Sequence, residues 1–375
     1  MTTIAVAVPP GDILKEELEA RGWSQVAFAE ILGMSPRLVS EIISAKRAIT
    51  PATAKAIGAA FGTSAQVWLN LEAAYQLDKT GHDDAAVSRR ARLYQLAPVK
   101  EMIRRHWLEP SDDIEVLERQ LLDFFGMDSL DREPEFQGYA AKATGPHNSA
   151  RRAWLFRARR LAPAVQVKAR FSDARWAEAA TKLRGLVHAP QESRHVPRIL
   201  SDAGIRVLLL EPLPHTKIDG VCFWLNNDER LPIIVVSLRY DRIDWFWHTL
   251  MHEMIHVKSR HGLRGPVHID IDILQQTEEQ EKAVNASAAN ILVDCAQLDN
   301  FIARVAPLYS KEKIRGFAAR LKVHPGIVVG QLQHRGPAAG GIPWSHSREM
   351  LVPVRQYIAG SVLTDGWGHV VATRN

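Results

Sequence analysis

The residues of this chain best suited to chemistry lie in His252-Glu253-Met254-Ile255-His256. Two imidazoles four residues apart sit one turn above each other on one side of a helix, where both can hold the same divalent ion. Glu253, beside the first of them, is placed to take a proton from a water held at that ion, which is the chemistry of a zinc hydrolase. The flanking Trp245, Phe246, Leu250, Met251, Met254, Ile255 and Val257 are apolar almost all round, as a buried helix requires. Such walls exclude water and strengthen the field of a bound cation. A core helix with two hydrogen-bonded histidines and a solvated glutamate is the plainer reading, and the apolar setting argues against it.

Two histidines do not complete a zinc site. A metzincin would place Gly at 259 and His at 262, whereas Ser259 and Gly262 stand there. The stretch 277–293 reads as a second helix with Ala and Leu along its buried side. On it Glu281 and Asn285 are one turn apart, so a carboxylate can reach the ion while an amide orients a neighbouring ring. Glu281 is the preferred third ligand and Glu278 the alternative; a solvated glutamate in an acidic first turn is the bland reading of either. Tyr240, His261 and His268 are the candidates for a group that stabilises a developing oxyanion, with none singled out.

These groups need a scaffold, and the period of the sequence changes where it should begin. Residues 205–210, 220–225 and 232–237 are short apolar runs bounded by Gly, Pro and Asn-Asp, which read as three strands of a small sheet just before the histidine helix. Upstream, helices are expected at 85–95, 98–106, 113–125 and 150–161, the last dense in arginine and suited either to a solvated face or to a groove for an acidic partner or DNA backbone. Helices at 310–321 and 324–333 follow the proposed ligand helix. The chain thus reads as α+β and mostly α. It divides into 1–80, a helical connecting region 85–190, a catalytic domain 191–335, and a Gly- and Pro-rich tail 336–375 with no assigned role.

Residues 9–77 read as five short helices. Ser24, Ser35 with Pro36, and Thr50 with Pro51 mark helix starts, while Gly22, Gly33 and Gly62 mark stops. Ala27, Phe28 and Ile31 are expected to point inward from the second helix, and Val67, Trp68 and Leu71 from the fifth. The second and third helices, joined through Gly33, have the size of a helix-turn-helix, whose second member lies in the major groove of DNA. Arg37, Ser40, Glu41 and Ser44 then face outward beside Ser35, with Lys46 and Arg47 just beyond. Arg37 could read guanine, while Gln25, Lys46 and Arg47 would hold phosphates. A small helical module that binds protein instead fits the pattern equally well.

Composition sets wider limits. Net charge is +5, but residues 1–80 carry seven basic against eight acidic side chains, and residues 151–184 ten against two. A diffuse excess of this kind is ordinarily a solvated surface rather than a nucleic-acid footprint. Cys222 and Cys295, the only cysteines, exclude a disulfide framework and read as buried, inert thiols. No apolar run reaches the length of a membrane span and no signal peptide opens the chain, so a cytoplasmic protein with no membrane partner is expected.

Two resemblances narrow the choice. Residues 9–25, with Ala48-Ile49-Thr50 and the stretch 63–71, resemble the HigA antitoxin branch of the Cro/repressor helix-turn-helix (XRE) family. The resemblance implies a lambda-repressor-like DNA-binding domain that meets operator DNA as a homodimer and controls a toxin–antitoxin operon. Residues 190–300, through Asp219-Gly220, the motif of His252, Glu253 and His256, and Glu281 four before Asn285, resemble the ImmA/IrrE metallopeptidases. That implies a zincin-like fold, a Zn²⁺ cofactor and a protein substrate, often a helix-turn-helix repressor. This chain departs from the family at Ser287-Ala288 and at 291–294, which alters the end of that helix and the wall beside it. The expected whole is a DNA-binding regulator fused to a zinc endopeptidase that acts on a repressor or a cognate toxin. The rival is an antitoxin or transcription factor whose second domain only senses or binds a partner.

Overall fold

Left-handed turns and capping hydroxyls cut the N-terminal segment into short helices: α1 (Pro10–Arg21), α2 (Gln25–Leu32), α3 (Pro36–Ile43), α4 (Pro51–Phe61) and α5 (Ala65–Thr80). The computed structural model describes residues 8–80, 84–136, 148–264, 267, 269–271 and 279–371. Ser24 Oγ accepts from Ala27 N at 3.1 Å and Ser35 Oγ from Leu38 N at 3.3 Å, satisfying helix-start donors that would otherwise lack partners. Between α2 and α3, Gly33 sits at φ 64°, a conformation that crowds any side chain bearing a Cβ. Leu14, Leu18, Phe28, Val39, Ile42, Ile57 and Trp68 form the core, with Phe28 and Phe61 stacked at 5.0 Å. Glu72, buried on α5, accepts from Ile49 N at 3.0 Å and so ties the α3–α4 connection to the last helix.

Two expectations fail here. Ile31 and Val67 are about half exposed, at 51% and 47%. Phe28 and Ala29 on α2, and Trp68 on α5, occupy the inward arc at those turns instead.

The chain divides into two units at Val87 and Ser88. The boundary falls within α6 (Asp84–Leu96), which is followed by α7 (Val99–Arg104), α8 (Ile114–Phe125), α9 (Asn148–Leu161), α10 (Asp173–Leu186) and α11 (Val196–Asp202). Then come β1 (Arg206–Leu210), β2 (Ile218–Trp224), β3 (Pro232–Val236), α12 (Ile243–Ser259), β4 (Ile269–Ile271), α13 (Glu279–Leu292), α14 (Cys295–Val305), α15 (Lys311–Leu321), α16 (Pro325–Arg335), α17 (Arg355–Ile358) and β5 (Leu363–Asp365). The protein is mostly helical with one small mixed sheet.

The sheet runs β4-β2-β3-β1-β5, with β1 parallel to β3 and β5, and β2 antiparallel to β3 and β4. Both faces are covered, which is why β1, β2 and β3 read as unbroken apolar runs. Val207, Leu209, Cys222, Trp224, Ile234 and Val236 face the core that includes α12. Their alternates Leu208, Leu210, Val221, Phe223, Ile233 and Val235 face the residues of α7, α8 and α9. The supposed connecting region is therefore a helical layer on the sheet, and the tail supplies its parallel edge strand.

The arginines of α9 belong to this layer. Arg157 is 1% exposed and donates to Asp365 Oδ2 on β5 at 2.5 Å, an oxygen that also accepts from Trp107 Nε1 at 3.1 Å. Arg152 meets Glu133 at 2.8 Å, and Arg151 donates to the Thr216 carbonyl at 3.1 Å. Neither the solvated face nor the open groove expected for this helix describes Arg151, Arg152 and Arg157, which tie segments of the second unit together, whereas Arg160 is exposed as a solvated face would have it.

Candidate metal centre and nucleic-acid interface

In the C-terminal unit α12 crosses the sheet, and its approach to β2 is set at Gly220. A Cβ there would lie 2.3 Å from Glu253 Oε1 and 2.9 Å from Thr249 Cγ2, so only glycine lets the Glu253 carboxylate lie against the strand. Trp176 of α10 holds the helix from the other side, donating through Nε1 to the Met254 carbonyl at 2.7 Å.

His252, Glu253 and His256 are buried on α12, and Glu281 is buried on the first turn of α13. The two Nε2 atoms are 2.8 Å apart and lie 3.3 and 3.4 Å from Glu281 Oε2. His252 Nδ1 meets Asn285 Oδ1 at 2.9 Å; an amide oxygen can only accept, so the proton is on Nδ1 and Nε2 presents a lone pair. His256 Nδ1 is 2.8 Å from His261 Nδ1, and His261 is held in turn by Gln280 Nε2 at 2.9 Å and by Trp224 Nε1 donating to its carbonyl at 2.9 Å. A proton on His256 Nε2, or a cation among the three atoms, satisfies a contact this short. For Zn²⁺ with bonds of about 2.0–2.1 Å, the edges of a tetrahedron are about 3.3 Å, which both histidine-to-Glu281 separations match and the 2.8 Å between the Nε2 atoms falls short of.

The residues singled out in the sequence thus fall into two groups here. His252, His256 and Glu281 come together as one cluster of ligand atoms within 4.8 Å, with Glu253 beside it on α12. His261 backs His256 rather than joining the cluster, and Tyr240 lies at the surface, edge-on to Trp245 at 4.7 Å. Glu278 and His268 lie outside the described residues. Sequence reasoning overlooked His248, whose Nε2 donates to Asn285 Oδ1 at 3.1 Å; its place one turn before His252 was the available signal. Cys295 is exposed, not buried as expected, because it starts α14 at the surface, whereas Cys222 is buried in β2.

In the N-terminal unit Arg37, Ser40, Lys46 and Arg47 are exposed, as is Gln25 at the start of α2. Arg37 Nε donates to Glu41 Oε1 at 2.7 Å, and Arg47 lies 3.4 Å from the other carboxylate oxygen. The Arg37 hydrogen bond chiefly draws the Glu41 carboxyl below its usual range. Ser35 Oγ is occupied as a cap and Ser44 Oγ donates to the Ser40 carbonyl at 2.8 Å, so both hydroxyls serve the helix itself. The face offers a guanidinium and two further cations, with one carboxylate balancing them.

Comparison with known proteins addresses this unit. A family model described as Helix-turn-helix matches residues 14–68. Virulence-associated protein I of Dichelobacter nodosus is 40% identical over 83 residues, which cover 22% of this chain and 77% of that protein. The uncharacterised HTH-type transcriptional regulator YddM of Escherichia coli K12 is 37% identical over 68 residues, 18% of this chain and 72% of its own length. Among solved structures, an addiction module antidote protein of a HigA family from Coxiella burnetii is 34% identical, covering 20% of this chain and 83% of that one, with a TM-score of 0.20. Through its N-terminal unit, the chain belongs to the helix-turn-helix family of DNA-binding regulators.

Proposed function

We propose that this protein is an operator-binding, antitoxin-like regulator whose second unit is a zinc-dependent endopeptidase acting on a partner protein. One observation carries the peptidase half: His252 Nε2, His256 Nε2 and Glu281 Oε2 converge within 3.4 Å, with the carboxylate of Glu253, the residue after His252, against Gly220 of β2. His252, His256 and Glu281 would hold Zn²⁺, which when bound supplies Lewis-acid polarisation of a scissile carbonyl. Asn285 fixes the tautomer and ring plane of His252, and His261 packs behind His256 with their Nδ1 atoms 2.8 Å apart. Glu253 receives the proton of the attacking water at a carboxylate oxygen and returns it to the departing amine. The partner is a repressor or a cognate toxin, and a dimer would meet the two half-sites of an operator. Among the described residues no helix is long and apolar enough to cross a membrane.

Cleavage of a candidate repressor or toxin by the wild-type chain tests this reading. Glu253→Gln is expected to keep zinc and lose turnover. Unchanged cleavage by Glu253→Gln would contradict the role given to that carboxylate. Zinc retention without cleavage of any partner, alongside intact operator binding, would favour a domain that only binds.

A further inference from the structure

One helical turn before the metal ligands, α12, α13, α14 and α16 enclose a cavity of about 220 Å³. Trp245, His248, Ala289, Leu298, Ile327 and Trp344 are among the residues that line it. Its walls are fixed. Trp245 Nε1 donates to Asp219 Oδ1 at 2.9 Å, and Asp219 is clamped by Arg239 at 2.8 and 3.0 Å. His248 donates to the same Asn285 oxygen that holds His252, so one amide serves both the cavity wall and a metal ligand.

The charged groups at its edge are already engaged. Asp244 pairs with Arg242 at 3.1 and 2.6 Å, and Arg335 with Asp299 at 2.5 Å. Burial lowers the pKa of His334, so that ring takes up a proton less readily than an exposed histidine. A charged guest would therefore find its counter-ions taken, while Leu298 and Ile327 offer buried apolar surface. A helix rises about 5.4 Å per turn and an extended peptide about 3.3 Å per residue, so a peptide lying at the metal ligands can place a neighbouring side chain here.

We propose that this cavity receives a bulky apolar side chain, aliphatic or aromatic, next to the scissile bond, and so selects which peptides are cut. The inference rests on the peptidase reading above.

Hydroxamates of glycine, leucine and phenylalanine, titrated calorimetrically into the zinc-loaded full-length chain, provide the test. The leucine and phenylalanine probes are expected to bind on the order of tenfold tighter than the glycine probe. Ala289→Trp, or Ala286→Leu should the first variant fold poorly, is expected to erase that preference while leaving glycine hydroxamate affinity unchanged. Cys295, an exposed thiol lining the cavity, gives an independent readout. Phenylalanine hydroxamate should slow its alkylation by iodoacetamide and glycine hydroxamate should not. Equal affinity for all three probes on zinc-loaded protein, or a preference untouched by both fillings, overturns the cavity's role and leaves the metal centre standing. A chain that retains no zinc overturns the peptidase reading, and this inference with it.

Discussion

His324 ties pH to the stability of the C-terminal unit. Its Nδ1 accepts from Gly326 N at 3.1 Å, capping α16, and burial holds its pKa below the ordinary 6.5. Unfolded, the same ring gains a proton once pH falls below about 6.5. The unfolded state then binds more protons than the folded one, so stability drops as pH falls from about 6.5 toward the lower folded value. His334 acts in the same direction. His324→Asn keeps a capping acceptor and removes one titration, so its Tm should fall less than the wild type's between pH 7.5 and 5.5; parallel curves would refute the assignment. In the N-terminal unit Glu41 holds Arg37 and restrains Arg47, so Glu41→Gln should raise affinity for DNA of any sequence in a gel-shift titration. Arg37→Ala should flatten base preference at one operator position, whereas Lys46→Ala weakens all sequences alike. That His252 and His256 share a face was legible because spacing on a helix dictates it, whereas the meeting of Glu281 with them depends on how α12 and α13 pack. The shared Asn285 oxygen was only half legible: Asn285 follows Glu281 by one turn, but its pairing with His248 depends on how α12 and α13 pack.

Two elements show how much the fold spends on positioning. The close contact of α12 with β2 makes Gly220 a spacer for Glu253, and Gly220→Ala should cost about 1–3 kcal/mol by overpacking. Chemical denaturation measures that loss, and turnover should fall while zinc content stays at the wild-type level. At the far edge of the sheet, Asp365 of β5 accepts from Arg157 and Trp107, all three buried. Removing one partner strands a buried charge, so Asp365→Ala should lower unfolding free energy by about 3–5 kcal/mol. A change within error would mean β5 is dispensable. The strands β1 to β3 and the capped helices could be read because period and turn chemistry are local. β5 could not, since three residues in a Gly- and Pro-rich stretch carry no pattern of their own and become a strand only against β1. Helices α10 and α11 went unassigned although Ser172 caps the first of them, because Trp176, Ala179 and Leu183 alone give a sparse apolar stripe among charged residues.

For the whole molecule, the balance of seven basic against eight acidic residues in 1–80 makes DNA affinity depend on a few placed cations rather than on bulk charge. Each neutralised phosphate adds about −0.9 to the slope of log K against log salt, so Lys46→Ala should make that slope shallower by about one. The helix-turn-helix unit was legible nearly residue by residue, since short helices with strong caps announce their own ends. The burial of α9's arginines was not, because their partners Asp365, Glu133 and Thr216 are remote in sequence. The central claim, that two imidazoles and one carboxylate share a divalent ion, is tested most directly by elemental analysis of the purified chain. About one zinc per chain is expected in the wild type and in Glu253→Gln, and much less in His252→Ala and Glu281→Gln. Wild-type protein without metal after zinc loading, or Glu281→Gln holding as much as the wild type, would contradict it.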